Sequence, residues 1–217
     1  MLLSNQPPAR FNQKQQKYTH RQSNLSLVNR PLQWFSQREE IPINRPGIWQ
    51  VYRGIVQLSK INLKGEEVPL GWAVKDHCFG IWLPELPHYR VKALTDSYLR
   101  WFCVDDLAVS PHLMETVLTQ LNYRRQQTEA LLAIAGLRLI EERLQQLLLL
   151  LKEELGEPVT QGTRLKVRFT HQYLANAIGS SRVTVTRLLG EFKKQGLIAI
   201  DSDRHLIVKD ERKALNF

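Results

Sequence analysis

Cysteine is scarce in this chain: Cys78 and Cys103 are the only two, and they do not have Cys-x-x-Cys spacing. So few thiols exclude a disulfide framework and argue against zinc or iron–sulfur ligation by thiolates, and they point to a reducing compartment. Long apolar runs are also missing. The five leucines at 147–151 are bracketed by Glu141, Glu142, Arg143, Lys152, Glu153 and Glu154, far from the roughly 20 apolar residues a membrane helix needs. The N-terminus offers Asn, Gln, Pro and basic residues where a signal peptide has a compact apolar stretch, so the expected location is the cytoplasm, with no membrane partner. Catalytic patterns are absent as well. A metal-dependent barrel enzyme would use a cluster such as two His and a carboxylate, but His77, Glu85 and His88 lack the close His-x-His spacing of such barrels. No motif supports a nucleophilic Ser or Cys. No catalytic residue and no metal ligand is assigned, and the enzyme alternative is rejected.

What the chain does contain is 43% hydrophobic residues and a net charge of +9, a globular composition with a bias toward polyanionic partners. The excess sits at the two ends: residues 1–45 hold seven Lys/Arg against two Glu, residues 46–136 nine of each sign, and residues 137–217 fourteen basic against ten acidic. Residues 1–30, rich in Gln, Asn, Ser and Arg, read as a flexible basic tail. From Ile48 to about Asp106, β-branched and aromatic segments broken by Gly54, Gly65, Gly71 and Gly80 predict a compact antiparallel roll, assigned to residues 31–110.

The period then becomes helical. Leu113, Val117 and Leu121 recur at helical spacing, and no Pro falls between His112 and Glu157, so residues 111–136 form a long helix that bends or breaks near Gly136. Leu113, Val117 and Leu121 could form a seam between two subunits, or pack against the chain's own roll. A second helix from Leu137 to about Leu155 carries Leu137, Ile140, Leu144, Leu147, Leu148 and Leu151 on a core-facing stripe. Residues 137–217 make the last unit.

Within that unit, residues 170–196 have the pattern of a helix-turn-helix. Two helices crossing closely need a small contact residue, and the turn between them needs an unusual backbone angle; Ala175 and Gly179 stand at those places. Ser180 and Ser181 can cap the second helix. Projected at roughly 100° per residue, Val185, Leu188, Leu189 and Phe192 share one buried side, while Arg182, Val183, Thr186, Arg187 and Gly190 share the opposite one. Arg182 and Arg187 suit bidentate contact with guanine, and Val183 and Thr186 suit a thymine methyl. Thr170, His171, Ser181, Thr184 and Arg204 are candidate phosphate contacts. From Arg164 to Lys194 there are seven basic residues and one acidic, Glu191, and residues 198–208 read as two short strands of a wing with Arg204 and His205 near its tip. The expected partner is double-stranded DNA.

With these residues in view, the chain resembles the Crp/Fnr family of bacterial regulators over residues 47–208, most specifically at Ser181-Arg182-Val183-Thr184-Val185-Thr186-Arg187. Its helix-turn-helix looks most like that of the cyanobacterial global nitrogen regulator branch, and Val183 suggests similarity to that branch's GTA…TAC half-sites. The resemblance implies an α+β fold with an N-terminal cyclic-nucleotide-binding-like roll, a long dimerisation helix and a C-terminal winged helix. It implies a homodimer on a palindromic site, and RNA polymerase as a further partner.

The sensor part departs from the pattern. Residues 79–90 lack the Gly-Glu and Arg-Ser pairs of the cyclic-nucleotide branch, which argues against cAMP because its phosphate would have no matched Arg. For a 2-oxoglutarate-like effector, Arg90 is at best a displaced substitute for the expected arginine. The possible effector pocket is Gly80, Ile81, Arg90, Arg124 and Arg125, with an exposed Arg124–Arg125 pair as the default. Cys78 and Cys103 are more ordinary as structural thiols than as redox sensors, and His77 and His88 as surface or core residues than as haem or metal ligands. No cofactor and no effector is identified, and regulation without an effector stays open.

Overall fold

In the computed structural model, which describes residues 30–43, 46–80 and 89–209, the alternating segments pair into two antiparallel sheets. One has the order β1 (Leu32–Phe35), β7 (Ser97–Cys103), β2 (Gly47–Arg53), β5 (Cys78–Gly80), and the other β4 (Glu67–Ala73), β3 (Val56–Ile61), β6 (Tyr89–Ala93). Their inner faces bury Phe35, Trp49, Val51, Val56, Leu58, Val91 and Leu99 together, the alternation expected when each strand turns every second side chain inward. Bulges interrupt the register between Val51 and Arg53 and between Leu58 and Ser59, where a roll needs local bending.

A short helix, α1 (Val104–Val109), leads from the roll into α2 (Pro111–Gly136). Asp106 fixes this corner. It accepts from the Cys103 N–H at 2.9 Å and from the Cys103 thiol at 3.3 Å, and pairs with Arg30 at 2.6 Å. Burial works against its charge, but those hydrogen bonds prevail and hold its carboxyl below the usual range. Pro111 opens α2, where a missing N–H costs nothing, and Ser110 caps it by accepting from the Leu113 N–H at 3.3 Å.

Helix α2 ends at Gly136, and α3 (Ile140–Leu155) starts after a three-residue break. Leu144, Leu147, Leu148, Leu151 and Leu155 of α3 are all buried. They share a core with Val185, Leu188, Leu189 and Phe192, while Ile140 is half-buried and Leu137 lies in the break before the helix. Strands β8 (Gly156–Val159) and β9 (Gly162–Leu165) follow, then α4 (His171–Ile178), α5 (Arg182–Lys194), β10 (Ile198–Ile200) and β11 (Leu206–Val208). The last strands form a sheet of order β10-β11-β9-β8, so the expected wing hairpin is half of a four-stranded sheet. Among the described residues, no helix is long and apolar enough to cross a membrane.

The long helix corrects one expectation. Leu113 and Val117 are buried against Ile48, Cys78, Phe102 and Leu107 of their own chain, so they face the roll and not a second subunit. The exposed row on α2 is one step round the helix, at Met114, Leu118, Leu121 and Leu132. Its spacings of four, three and eleven residues are those of a coiled-coil stripe. Of the three residues expected in the seam, Leu121 alone lies in this exposed row.

Candidate nucleic-acid interface

The turn between α4 and α5 is built as the sequence demanded. Gly179 sits at φ 65°, ψ 45°, a left-handed conformation that costs a side chain dearly, and Ser180 N–H closes the turn onto the Ala175 carbonyl at 2.9 Å. Ala175 is fully buried where the helices cross. Thr170 caps α4 by accepting from the Tyr173 N–H at 3.1 Å, and Ser181 caps α5 by accepting from the Thr184 N–H at 3.1 Å. Both caps satisfy helix-end donors that would otherwise need water.

Helix α5 buries Val185, Leu188, Leu189 and Phe192 and leaves Arg182, Val183, Thr186 and Arg187 in solvent. Val183 is 79% exposed, an apolar side chain offered outward on a helix whose other large apolar residues are covered. Thr186 is held from two sides: its hydroxyl donates to the Arg182 carbonyl at 2.8 Å and lies 2.7 Å from Nδ1 of His171. The start of α4 is thereby pinned to the exposed face of α5. Arg187 pairs with Glu191 at 2.6 Å, an exposed i,i+4 pair worth only about 0.3–0.5 kcal/mol.

The wing is more constrained than its sequence suggested. Arg164 pairs with Glu157 at 2.7 Å, with Asp201 at 2.5 Å and with Asp203 at 3.7 Å, and it also contacts His205. Its charge therefore closes the sheet, and it is withdrawn from the basic excess counted along the sequence. His205 donates its backbone N–H to Asp201 at 2.7 Å and its ring is half-buried within this cluster, so it is not a free tip residue. Burial, then the Arg164 charge, press its pKa down. Arg204, at φ 64° in the turn, is exposed. Asp201, Asp203 and His205 come close enough to suggest cation ligands, but Arg164 already occupies the centre of that set.

A small pocket of about 60 Å³ lies between the roll and α2, lined by Ile48, Cys78, Phe79, Gly80, Val117, Leu121 and Arg124. Of the five residues expected here, Gly80 and Arg124 line it, and Ile81 lies outside the described residues. Arg90 is exposed and turned to Glu40 at 3.7 Å, and Arg125 is exposed and paired with Glu129 at 2.6 Å, so neither belongs to the pocket. Arg124 overturns the default of an exposed pair. Burial lowers its pKa, its Nη2 reaches the Tyr89 hydroxyl at 3.4 Å, and its Nη1 has no hydrogen-bond partner among the described residues. Cys78, in the pocket wall, is pushed up to about 12 by burial and so stays a thiol, the form that reacts poorly with oxidants.

Sequence reasoning missed a buried polar cluster joining three parts of the chain. Glu154, near the end of α3, accepts from Tyr123 and from Gln127 Nε2 at 2.6 Å each, while Gln127 Oε1 accepts from the Trp72 N–H at 3.2 Å. Burial, and then the Glu154 charge, push the Tyr123 phenol up. Gly71, at φ 143°, lets β4 approach this closely: a Cβ there would stand 2.5 Å from Gln127 Oε1.

A β-roll, a long connecting helix and a winged helix-turn-helix with a free polar face define a DNA-binding regulator with an attached sensor-like domain, a regulator rather than an enzyme. A Crp-like helix-turn-helix domain model matches residues 142–215. The chain is 36% identical over 177 residues to the regulatory protein CysR of Synechococcus elongatus, covering 80% of this chain and 81% of that one. It is 33% identical over 167 residues to the global nitrogen regulator of the same organism, covering 72% and 75%. In fold it is similar to a CRP-family transcriptional regulator from Thermus thermophilus, with a TM-score of 0.69, 21% identity and coverage of 82% of this chain and 92% of that one. The chain belongs to the Crp/Fnr family of transcription regulators.

Proposed function

We propose that the chain acts in the cytoplasm as a homodimer, reading a palindromic DNA site with one α5 helix per half-site and acting on transcription through RNA polymerase. The observation that carries the reading is the outward Arg182, Val183, Thr186, Arg187 face, bounded by the capped start of α4 with Thr170 and His171. Arg182 and Arg187 take guanine edges and Val183 a thymine methyl, with Ser181, Thr184 and Arg204 on the flanking phosphates. The dimer forms along Met114, Leu118, Leu121 and Leu132, an apolar row too regular and too exposed for an isolated surface helix. A duplex carrying GTA…TAC half-sites tests this. Binding about 10³-fold or more tighter than to a scrambled duplex is expected, and equal affinity for the two would overturn it.

A small anionic effector gates this activity, favoured over effector-free action by Arg124. A half-buried guanidinium whose Nη1 is shielded from water and unpaired is costly unless something pairs with it, and its pocket lies on the helix that carries the apolar row. A carboxylate such as that of 2-oxoglutarate supplies the missing acceptor. Residues 111–136 are thus read as the dimerisation helix between a sensor unit, 31–110, and a reading unit, 137–217.

A further inference from the structure

The outer face of the four-stranded sheet of the roll is covered at one end, where Ile48, Cys78 and Phe102 pack under α1 and α2, and open at the other. Three aromatic side chains stand on the open end: Trp34 is 56% exposed, Tyr52 54% and Tyr98 37%. The register sets them side by side. Trp34 pairs with Tyr98 across β1 and β7, and the bulge in β2 brings both Tyr52 and Arg53 opposite Tyr98, since a bulge sets two residues against one on the facing strand. One pleat along, Arg100 of β7 lies between Leu32 and Gln50. Among the described residues the three rings touch no other ring, and neither the Trp34 indole N–H nor the two tyrosine hydroxyls have a hydrogen-bond partner. The charge here is of one sign. The four strands contain no Asp or Glu, and their two charged residues are Arg53 and Arg100. Arg53 is exposed and Arg100 half-buried; neither forms an ion pair among the described residues, and Arg100 spends only its Nε, on the Arg30 carbonyl at 3.2 Å.

We propose that this face is a second nucleic-acid site, which takes a single strand, RNA or DNA, by stacking unpaired bases on Trp34, Tyr98 and Tyr52 while Arg53 and Arg100 hold its phosphates. It is independent of the reading of α5. Water solvates the face of an aromatic ring poorly, and every base offers a flat π-surface to cover one. A duplex keeps those surfaces inside its own stack, so only unpaired bases can reach the rings. An antiparallel four-stranded sheet with aromatic residues on its open face is the kind of platform on which RNA-recognition domains stack two or three bases, and guanidinium planes stack on bases as well. The charge selects the occupant. Two unpaired guanidinium groups on a sheet without a carboxylate are complementary to a polyanion, and binding of single strands joins such rings to positive charge that tracks the phosphates.

The test uses the full chain and two labelled homopolymers without base pairing, oligo(dT) and oligo(rU), each about 20 nucleotides long so as to exceed such a site, with binding read by fluorescence anisotropy. The wild type should bind at least one of them, and the better-bound one identifies the sugar. Trp34→Ala should weaken that binding about five-fold or more, the least that a base stacked on a ring contributes. Trp34→Phe keeps a ring and should lose less. Between 50 and 200 mM salt, Arg53→Gln should lose about 2.5-fold less affinity than the wild type, the share of one phosphate contact on a single strand. These side chains are exposed, so each variant should bind the GTA…TAC duplex as the wild type does, which separates this site from α5. Absence of binding to both homopolymers, or equal binding by wild type and Trp34→Ala, would overturn the proposal and leave the face to a polypeptide. Equal losses by Trp34→Ala on duplex and homopolymer would overturn it too, as the mark of one shared site.

Discussion

The indole N–H of Trp72 donates a hydrogen bond to the hydroxyl of Tyr173 at 3.0 Å, joining strand β4 of the roll to the first helix of the reading unit. Trp72 is fully buried and Tyr173 half-buried, and burial pushes the Tyr173 phenol far up, so it stays protonated. Asn176, one turn further along α4, donates to the Glu67 carbonyl at 3.3 Å. Replacing Tyr173 by Phe leaves the Trp72 N–H buried without an acceptor, which costs about 1–3 kcal/mol. Urea unfolding should show that loss, and hydrogen exchange should show faster opening of residues 171–178.

On the exposed face of α5, Arg182→Ala and Arg187→Ala should each weaken binding to the correct site by about 1–3 kcal/mol and leave binding to random DNA nearly unchanged. Fluorescence anisotropy on both duplexes measures this. Arg187→Ala also frees Glu191 beside the DNA, so its loss should be the more sensitive of the two to salt.

The two faces of α2 can be separated by substitution. Leu118→Glu puts a charge into the exposed row and should yield a folded monomer by light scattering. Leu113→Ala removes a side chain buried against Ile48 and Phe102; it should cost about 2–5 kcal/mol of folding stability and leave the oligomeric state of the folded fraction intact.

In the pocket, Arg124→Met exchanges a buried cation that lacks a full set of partners for an apolar side chain of similar length. The melting temperature without effector should rise, since such exchanges are often stabilising. Any stabilisation of the wild type by 2-oxoglutarate should vanish in the variant. A thermal shift that survives in the variant would place the effector elsewhere.

His77 packs edge-on to Tyr123, with ring centres 4.7 Å apart, and its pKa is lowered by burial above all, with Arg124 adding to the effect and Glu154 and Asp76 opposing it. Below the unfolded-state value of about 6.5, the unfolded chain takes up a proton that the folded chain resists. The contribution to stability is therefore complete above that pH and declines as pH falls through the window beneath it. The melting temperature should drop between about pH 7 and 5, and His77→Gln should flatten that part of the profile.

The sequence disclosed local structure well. Gly179, Ala175, Ser181 and the two sides of α5 were all readable, because a turn angle, a cap and a helical projection depend on neighbours in the chain. Side chains whose partners lie far along the chain were not. Nothing in the spacing of Leu113 and Val117 says whether a roll or a second subunit covers them, since both would select the same apolar residues. Arg124 and Arg125 are adjacent and chemically identical, yet one is half-buried in the wall of the roll pocket and the other pairs with Glu129 in solvent, because successive helical residues point about 100° apart. Strand β1 went unseen because Leu32, Gln33 and Trp34 are exposed and show no inward alternation.

Gly71 and Trp72 are consecutive residues with different neighbours: the first lies against the helix that bears Arg124, the second against the first helix of the helix-turn-helix. A displacement at one would have a single peptide unit to cross before reaching the other, a rocker with arms of almost no length. Thermodynamic reciprocity then applies in both directions. If occupancy of the Arg124 pocket tightens DNA binding by some factor, a bound operator must strengthen retention of the effector by the same factor, so the genome itself becomes part of the sensor's calibration.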